Sequence, residues 1–217
     1  MFVIKEPRWV IRKIASVDQI RKIYLTFDDG PNSDTTADVL NIFKKHNCTA
    51  TFFVIGNKAK TYPDIVHRMV AEGHSVLSHS ADHNYSQYFQ SSEKMKIWMQ
   101  ASVEELNKLT SKADIGFRPP AGILNPPLIQ ASRVLRMPLI LWNYRFFDTV
   151  FTLTRKKVDK FLKHAKAGDI ILLHDQQKPK NKDLFLASLD HMISELIKLN
   201  FQVSHLSQAD IKSAATF

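Results

Sequence analysis

The stretch Ile23-Tyr24-Leu25-Thr26-Phe27-Asp28-Asp29-Gly30-Pro31 joins an apolar, strand-like run to two adjacent carboxylates and a turn. Branched and aromatic side chains favour the strand, and Gly-Pro favours the turn. Two like charges side by side repel, and each must be solvated or paired. Such a pair at a strand end points to a cation or to a reaction. The pattern recurs along the chain. His79-Ser80-Ala81-Asp82-His83 follows the apolar residues 75–77, Arg118-Pro119-Pro120 follows 115–117, Asp148 lies beyond 139–142, and His174-Asp175 ends the run 170–173. One carboxylate and two histidines can hold a divalent metal. That leaves one carboxylate and one histidine for base and acid, which is the equipment of metal-assisted hydrolysis.

Outward from these points, strand candidates at 23–27, 51–55, 75–77, 115–117, 139–142, 170–173 and 201–203 alternate with helix candidates at 36–46, 63–72, 92–109, 127–135, 155–167 and 184–199. In the last helix Leu186, Leu189, Ile193, Leu196 and Ile197 recur at helical spacing. Alternation over the whole length predicts an α/β fold with a parallel sheet and helical crossovers. About seven units predict a closed or nearly closed, distorted (β/α) barrel, with a doubly wound open sheet as the alternative. In a parallel barrel the strand C-termini share one mouth, which would bring Asp28, Asp29, His79, Arg118, Asp148 and His174 together. No linker, repeat or low-complexity tract divides the chain, so residues 1–217 read as one domain. The polar, Lys-rich segment 176–183 reads as a surface loop.

Composition bounds the remaining classes. With 217 residues and 44% hydrophobic content, the chain can bury a sizeable core. No stretch reaches the roughly 20 apolar residues that span a bilayer. The basic N-terminus, with Lys5, Arg8, Arg12 and Lys13, shows no export signal. Cys48 is the single cysteine and reads as a buried small hydrophobe. The net charge of +9 suits an anionic surface or polymer. Its densest cluster, Arg155 to Lys166, reads as the solvated face of a helix, and no nucleic-acid motif accompanies it. Singly, each signal has a bland reading. Asp-Asp-Gly-Pro could be a simple turn, and His174 a hydrogen-bonded core histidine. His79 and His83 share a face if their segment is helical. Together, in this order and at strand ends, they are far more specific.

The set resembles the polysaccharide deacetylases of the NodB-homology type, carbohydrate esterase family 4, over roughly residues 22–206. Thr26-Phe27-Asp28-Asp29-Gly30 resembles the first family motif, which implies Asp28 as general base and Asp29 as metal ligand. His79-Ser80-Ala81-Asp82-His83 resembles the second and implies His79 and His83 as the other ligands. Arg118-Pro119-Pro120-Ala121-Gly122 resembles the third. It implies that Arg118 steadies the catalytic carboxylate and that the Ala121 N–H assists the oxyanion. Leu172-Leu173-His174 resembles the fifth, with His174 as general acid and Leu172 lining the acetyl pocket. The fourth motif departs. The family commonly has Asp-x-x-Asp-Trp after a strand-end Trp. Here Trp142 is followed by Arg145-Phe146-Phe147-Asp148-Thr149. Asp148 matches the Asp that supports the acid histidine, Arg145 replaces the other Asp, and Thr149 replaces the Trp.

The resemblance implies a divalent metal, zinc first and cobalt or nickel as alternatives, and release of acetate from an N-acetylated polysaccharide. The basic charge places peptidoglycan ahead of chitin oligomers and other acetylated glycans. The resemblance implies the cell envelope, periplasmic or secreted, while the missing nucleic-acid motif and the short apolar runs argue against nucleic acid and a transmembrane segment. A small-amide hydrolase and a catalytically silent sugar-binding homologue are the rivals. Around the fourth motif, Phe146 is the residue expected to fill the place of the missing Trp, and Phe147 is expected to pack as an ordinary loop residue. Arg145 is expected either to reach the substrate or to point to solvent. Tyr85, Tyr88 and Phe89, or the group Tyr144, Phe146 and Phe147 beside the fourth motif, are candidates to pack on sugar rings.

Overall fold

The computed structural model describes residues 6–15, 20–111 and 114–217, so the N-terminal stretch read for an export signal lies partly outside it. The elements run β1 (Val10–Ile11), β2 (Lys22–Asp28), α1 (Thr36–Lys45), β3 (Thr51–Val54), α2 (Gly56–Thr61), α3 (Pro63–Ala71), β4 (Ser75–Ser78), α4 (Ser92–Thr110), α5 (Pro126–Leu135), β5 (Leu139–Ile140), β6 (Tyr144–Arg145), α6 (Arg155–Leu162), β7 (Ile170–His174), α7 (Lys182–Lys198), β8 (Gln202–Ser204) and α8 (Gln208–Ala214).

The sheet is built around β2, which pairs in parallel with β3, β7 and β8. β4 lies outside β3, and β6 outside β7. Parallel bridges from Ser78 to Phe117 and from Phe117 to Leu139 carry the sheet from β4 to β5. The chain then returns to β7 through the Tyr144–Ile171 register. That circuit closes a distorted barrel and removes the open-sheet alternative.

Two strands differ from the sequence reading. The strand at 115–117 shrinks to bridges at Phe117, because Pro119 and Pro120 have no N–H to extend a ladder. The strand at 139–142 breaks after Ile140 and resumes at Tyr144. At the break the Asn143 carboxamide accepts from the Ile170 N–H (2.8 Å) and donates to Asp169 (2.8 Å). A side chain thus does locally what the ladder would do. β1, α2 and α8 were not anticipated, and α6 ends at Leu162 instead of continuing to 167.

Strand alternation sets the layers. On β2, Ile23, Leu25 and Phe27 face the helices, packing in one core with Val39, Leu40 and Phe43 of α1 and Leu189 and Ile193 of α7. Tyr24, Thr26 and Asp28 face the barrel interior. There Tyr24 packs with Phe53, Leu77, Ile140 and Ile170, and Thr26 and Asp28 meet Arg118. The buried stripe of α7 is Phe185, Leu189, Met192, Ile193 and Leu196. Leu186 lies at its margin and Ile197 is exposed, so the stripe is turned from the one read in the sequence. Each such buried side chain is worth about 1.5–3 kcal/mol. A third cluster, with Trp98, Met99, Phe117 and Leu128, seats α4 and α5.

Candidate active site

The C-terminal strand ends deliver the chemistry. Asp28 ends β2, His174 ends β7, and the two are register partners on adjacent parallel strands. Arg145 and Leu172 are partners in the same way on β6 and β7. His79 follows β4, and Arg118 follows the Phe117 bridge. A cavity of about 250 Å³ opens here, lined by Asp28, Asp29, His79, His83, Tyr85, Ala121, Trp142, Arg145, Phe147, Asp148, Thr149, Leu172 and His174. Every candidate site residue except Arg118 therefore lines one cavity, and Arg118 stands directly behind it.

Arg118 is fully buried. Its Nη1 donates to Asp28 Oδ1 (2.7 Å) and Thr26 Oγ1 (2.8 Å), Nε to the Ile140 carbonyl (2.9 Å), and Nη2 to the Leu141 carbonyl (3.0 Å). The guanidinium also lies 3.7 Å from the Phe53 ring centroid. A buried charge is tolerable only when it is paired and hydrogen-bonded in this way. The arrangement fixes Asp28 Oδ1 and leaves Oδ2 toward the cavity side, 3.7 Å from His79 Nε2.

Strand alternation alone would send Asp29 to the face opposite Asp28. Instead Asp29 adopts φ 70°, a left-handed conformation that Asp tolerates better than most residues, and it turns to the mouth. Lys58 Nζ braces the turn by donating to the Asp29 carbonyl (2.8 Å). Gly30 is required next, since a Cβ there would meet the buried Asp175 carboxylate at 2.3 Å. Burial pushes the Asp175 carboxyl up to about 7, against a hydrogen bond from Thr36.

His79 and His83 do not share a helix face. Ser80 (φ 74°) and His83 (φ 55°) are left-handed, and the segment is a loop. The loop, not helical spacing, brings the rings together, with centroids 5.1 Å apart. Asp29 Oδ1 lies 3.5 Å from His79 Nε2 and 3.3 Å from His83 Nε2. One donor atom from each of the three falls within 4.8 Å of the others. His79 Nδ1 pairs with the Arg118 carbonyl at 2.8 Å, which turns Nε2 toward Asp29. Asp29 Oδ1 is buried with no hydrogen-bond partner. A carboxylate oxygen left so is costly, and a cation between these groups would satisfy it. The residues present thus fit a divalent metal. Burial works against ionised Asp29, but His79, then His174 and His83, outweigh it and hold the carboxyl at about 2. Burial, with the neighbouring His79, pushes His83 below the usual imidazole value.

Across the cavity His174 Nδ1 is 2.9 Å from Asp148 Oδ1, and its backbone N–H donates to Asp148 Oδ2 (2.7 Å). Gln177 donates to the His174 carbonyl (2.8 Å) and approaches Asp148 Oδ2 (3.5 Å). Burial opposes the imidazolium, but Asp148, with Asp28 and Asp29 beyond it, raises His174 to about 9.

Ala121 sits in the left-handed region at φ 54°, beside Gly122 at φ 67°. Its N–H makes no hydrogen bond among the described residues, whereas Gly122 and Ile123 donate to Pro119 and Pro120. A Cβ on Gly122 would come within 2.6 Å of the Trp142 ring, so this glycine lets Trp142 form a wall.

Around the fourth motif the sequence reading needs correction. Phe146 is buried against Tyr144 and Phe161, at 5.0 and 5.5 Å, and does not line the cavity. Phe147, at φ 54° and 52% exposed, does line it. Arg145 stacks on Phe147 at 4.0 Å and has no acidic partner among the described residues. Tyr85 lines the rim, and Phe89 is 90% exposed beyond it, while Tyr88 is buried with its hydroxyl on the Pro120 carbonyl.

Comparison with known proteins agrees with the geometry. The polysaccharide deacetylase family profile matches residues 16–140. The chain is 30% identical over 208 residues to the chitooligosaccharide deacetylase of Bradyrhizobium sp. (strain ANU 289), covering 92% of this chain and 95% of that protein. It is 31% identical over 185 residues to the peptidoglycan-N-acetylmuramic acid deacetylase PdaA of Bacillus subtilis (strain 168), covering 83% and 68%. The solved structure of the peptidoglycan deacetylase PdaC from Bacillus subtilis superimposes with a TM-score of 0.76 at 30% identity, over 91% of this chain and 94% of that one. A barrel whose strand ends gather two aspartates, the His79–His83 pair and an Asp-supported histidine, together with these matches, places the chain in the polysaccharide deacetylase family.

Proposed function

We propose that this chain removes N-acetyl groups from an amino-sugar polymer, with peptidoglycan as the substrate, in the cell envelope. The observation that carries the reading is the placement of Asp28 and His174 as register partners beside the Asp29–His79–His83 cluster.

Asp29, His79 and His83 would hold the metal. Two nitrogens and one carboxylate suit zinc first, with cobalt and nickel also compatible. Bound there, the ion supplies Lewis-acid polarisation and lowers the pKa of water. The chain's own residues do the rest. Asp28, with Oδ1 tied to Arg118, takes a proton from the attacking water as the new C–O bond forms. The free N–H of Ala121 donates to the developing oxyanion. His174, held by Asp148, passes its proton to the nitrogen as the C–N bond breaks. Acetate and a free amino sugar result. Leu172 and Trp142 wall the space for the acetyl methyl.

Three features support peptidoglycan. Arg145 presents a guanidinium with no acidic partner at the cavity, suited to a carboxylate. The net charge of +9 favours an anionic wall polymer. Relatives such as PdaA are named for that substrate. Chitin oligosaccharide is the second reading, favoured by the Bradyrhizobium relative. No helix among the described residues is long and apolar enough to cross a membrane. The test is acetate release from purified wall glycan, with and without chelator. Release that chelator abolishes and zinc restores supports the reading. Full release in chelator, or none with any metal, overturns it.

A further inference from the structure

The loop from Phe146 to Leu153 carries the fourth motif, and burial fixes only its ends. Phe146 and Leu153 lie in the main core. Between them Phe147, Thr149, Val150 and Phe151 are exposed, and Asp148 is buried. With Thr149 in the place of the motif's Trp, no buried apolar side chain anchors residues 147–151. The Asp148 carboxylate bonds to His174 and Gln177, both on the segment it serves to hold. Where that carboxylate sits therefore depends on the path of the loop backbone.

The backbone of this loop converges on one ammonium. The Phe147 carbonyl accepts from the N–H groups of Val150 (3.1 Å) and Phe151 (2.9 Å), which closes a turn. Lys157 Nζ donates to the carbonyls of Phe151 (2.6 Å), Thr152 (3.1 Å) and Phe146 (3.5 Å) on either side of it. An ammonium has three donors and no acceptor, and charge-assisted bonds are the stronger kind. Nζ also lies 5.6 Å from the Phe151 ring centroid. By sequence Lys157 belongs to the basic run of α6, yet it is half-buried while Lys156, Lys160 and Lys163 are exposed. Val158 and Phe161 seat α6 in the core, so the ammonium is held out from a fixed helix.

We propose that Lys157 is a positioning residue for the reaction: by gathering these three carbonyls it sets Asp148, and through Asp148 it aims the acid His174. The proposal rests on the deacetylase reading above for the part that His174 plays. His174 must present its proton to the leaving nitrogen, and a misplacement of about 1 Å can cost about 100-fold in rate.

The test uses the zinc-loaded full chain with two probes. One is an N-acetylglucosamine tetramer, whose amine leaves only with a proton. The other is a nitrophenyl acetate, whose aryloxide leaves without an acid. Lys157→Met should lower kcat for the tetramer about 10- to 100-fold with KM unchanged, and leave nitrophenyl acetate turnover near that of the parent. Lys157→Arg, which keeps charge and donors, should restore most of the lost rate. The exposed control Lys160→Met should match the parent on both probes. Zinc content serves as the check on folding, and if Lys157→Met fails it, Lys157→Gln decides by the same ratio. Parent kcat on the tetramer, equal losses on the two probes, or an equal loss in Lys160→Met would overturn the role. If the parent releases no acetate from any glycan, the NMR resonance of the His174 Nδ1 proton decides separately. A resonance shifted or broadened in Lys157→Met but not in Lys160→Met then supports the positioning while the deacetylase reading fails. An unchanged resonance removes the positioning as well.

Discussion

His83 and His174 line the same cavity, yet their surroundings push them in opposite directions. His83 is driven below the ordinary imidazole value by burial and by His79. His174 is raised to about 9 by Asp148, which overrides burial, with Asp28 and Asp29 adding to it. A metal ligand must offer a neutral nitrogen, and a general acid must carry a proton. One side of the mouth therefore favours the neutral form and the other the charged form. The two aspartates divide likewise. Asp28 is bound to a buried guanidinium, while Asp29 keeps an oxygen with no donor. The difference lies in partners, since the residue types are the same.

The largest way to break this comparison is to remove Arg118. Arg118→Met should destabilise the fold by about 3–5 kcal/mol, because it leaves Asp28 buried without its counter-charge. Urea denaturation measures this, and a loss under 1 kcal/mol would show that the pair does not hold the barrel interior. Next, His174→Ala should lower turnover about 100- to 10,000-fold at unchanged metal content. Loss of metal in that variant would merge the two sides that the comparison keeps apart.

The pH dependence sharpens the contrast. A folded value near 9, above the unfolded imidazole value of about 6.5, means that the stability from the His174–Asp148 pair is fully present below about pH 6.5. It is lost as pH rises toward about 9. Turnover should fall along the same alkaline limb as the acid loses its proton. A cation on Asp29 removes part of the attraction, so the limb should sit lower in the metal-loaded protein than in the metal-free one. NMR titration of the His174 ring in both forms checks this, and a value below 6.5 in the metal-free protein would contradict it. The smallest effect belongs to Arg145. Arg145→Ala should slow turnover of a carboxylate-bearing wall fragment about 2- to 5-fold, the scale of an exposed ion pair, and leave a neutral chitin oligomer nearly unchanged. Equal rates on both substrates would count against a carboxylate contact.

Much of this was legible in the sequence. The apolar runs before Asp28, His79 and His174 set parallel strands whose ends share a mouth, and the barrel follows from their alternation with helices. What the sequence concealed was backbone conformation. Among the described residues, nine non-glycine residues have positive φ, and four of them, Asn47, Ser111, Arg136 and Asn200, lie at the C-terminal ends of helices. The other five, Asp29, Ser80, His83, Ala121 and Phe147, are all in or beside the candidate site. Periodicity assumes regular dihedrals, so it misplaced the residues where the chain leaves them. It would pair His79 and His83 only on a helix, which the segment does not form, and bulk with closeness in sequence favoured Phe146 over Phe147 for the wall. Strain of this kind gathers at functional sites, and Phe147 had no other signal. Lys58 was equally hidden, because its contact with Asp29 joins α2 to the turn after β2, 29 residues away.

The division of labour between adjacent aspartates is tested most directly by measuring zinc content and acetate release together in Asp28→Asn and Asp29→Asn. The account predicts that Asp28→Asn keeps its zinc and loses about 1,000-fold or more in turnover. Asp29→Asn should lose zinc and turnover together. Zinc lost from Asp28→Asn and kept in Asp29→Asn would contradict the account and exchange the two roles.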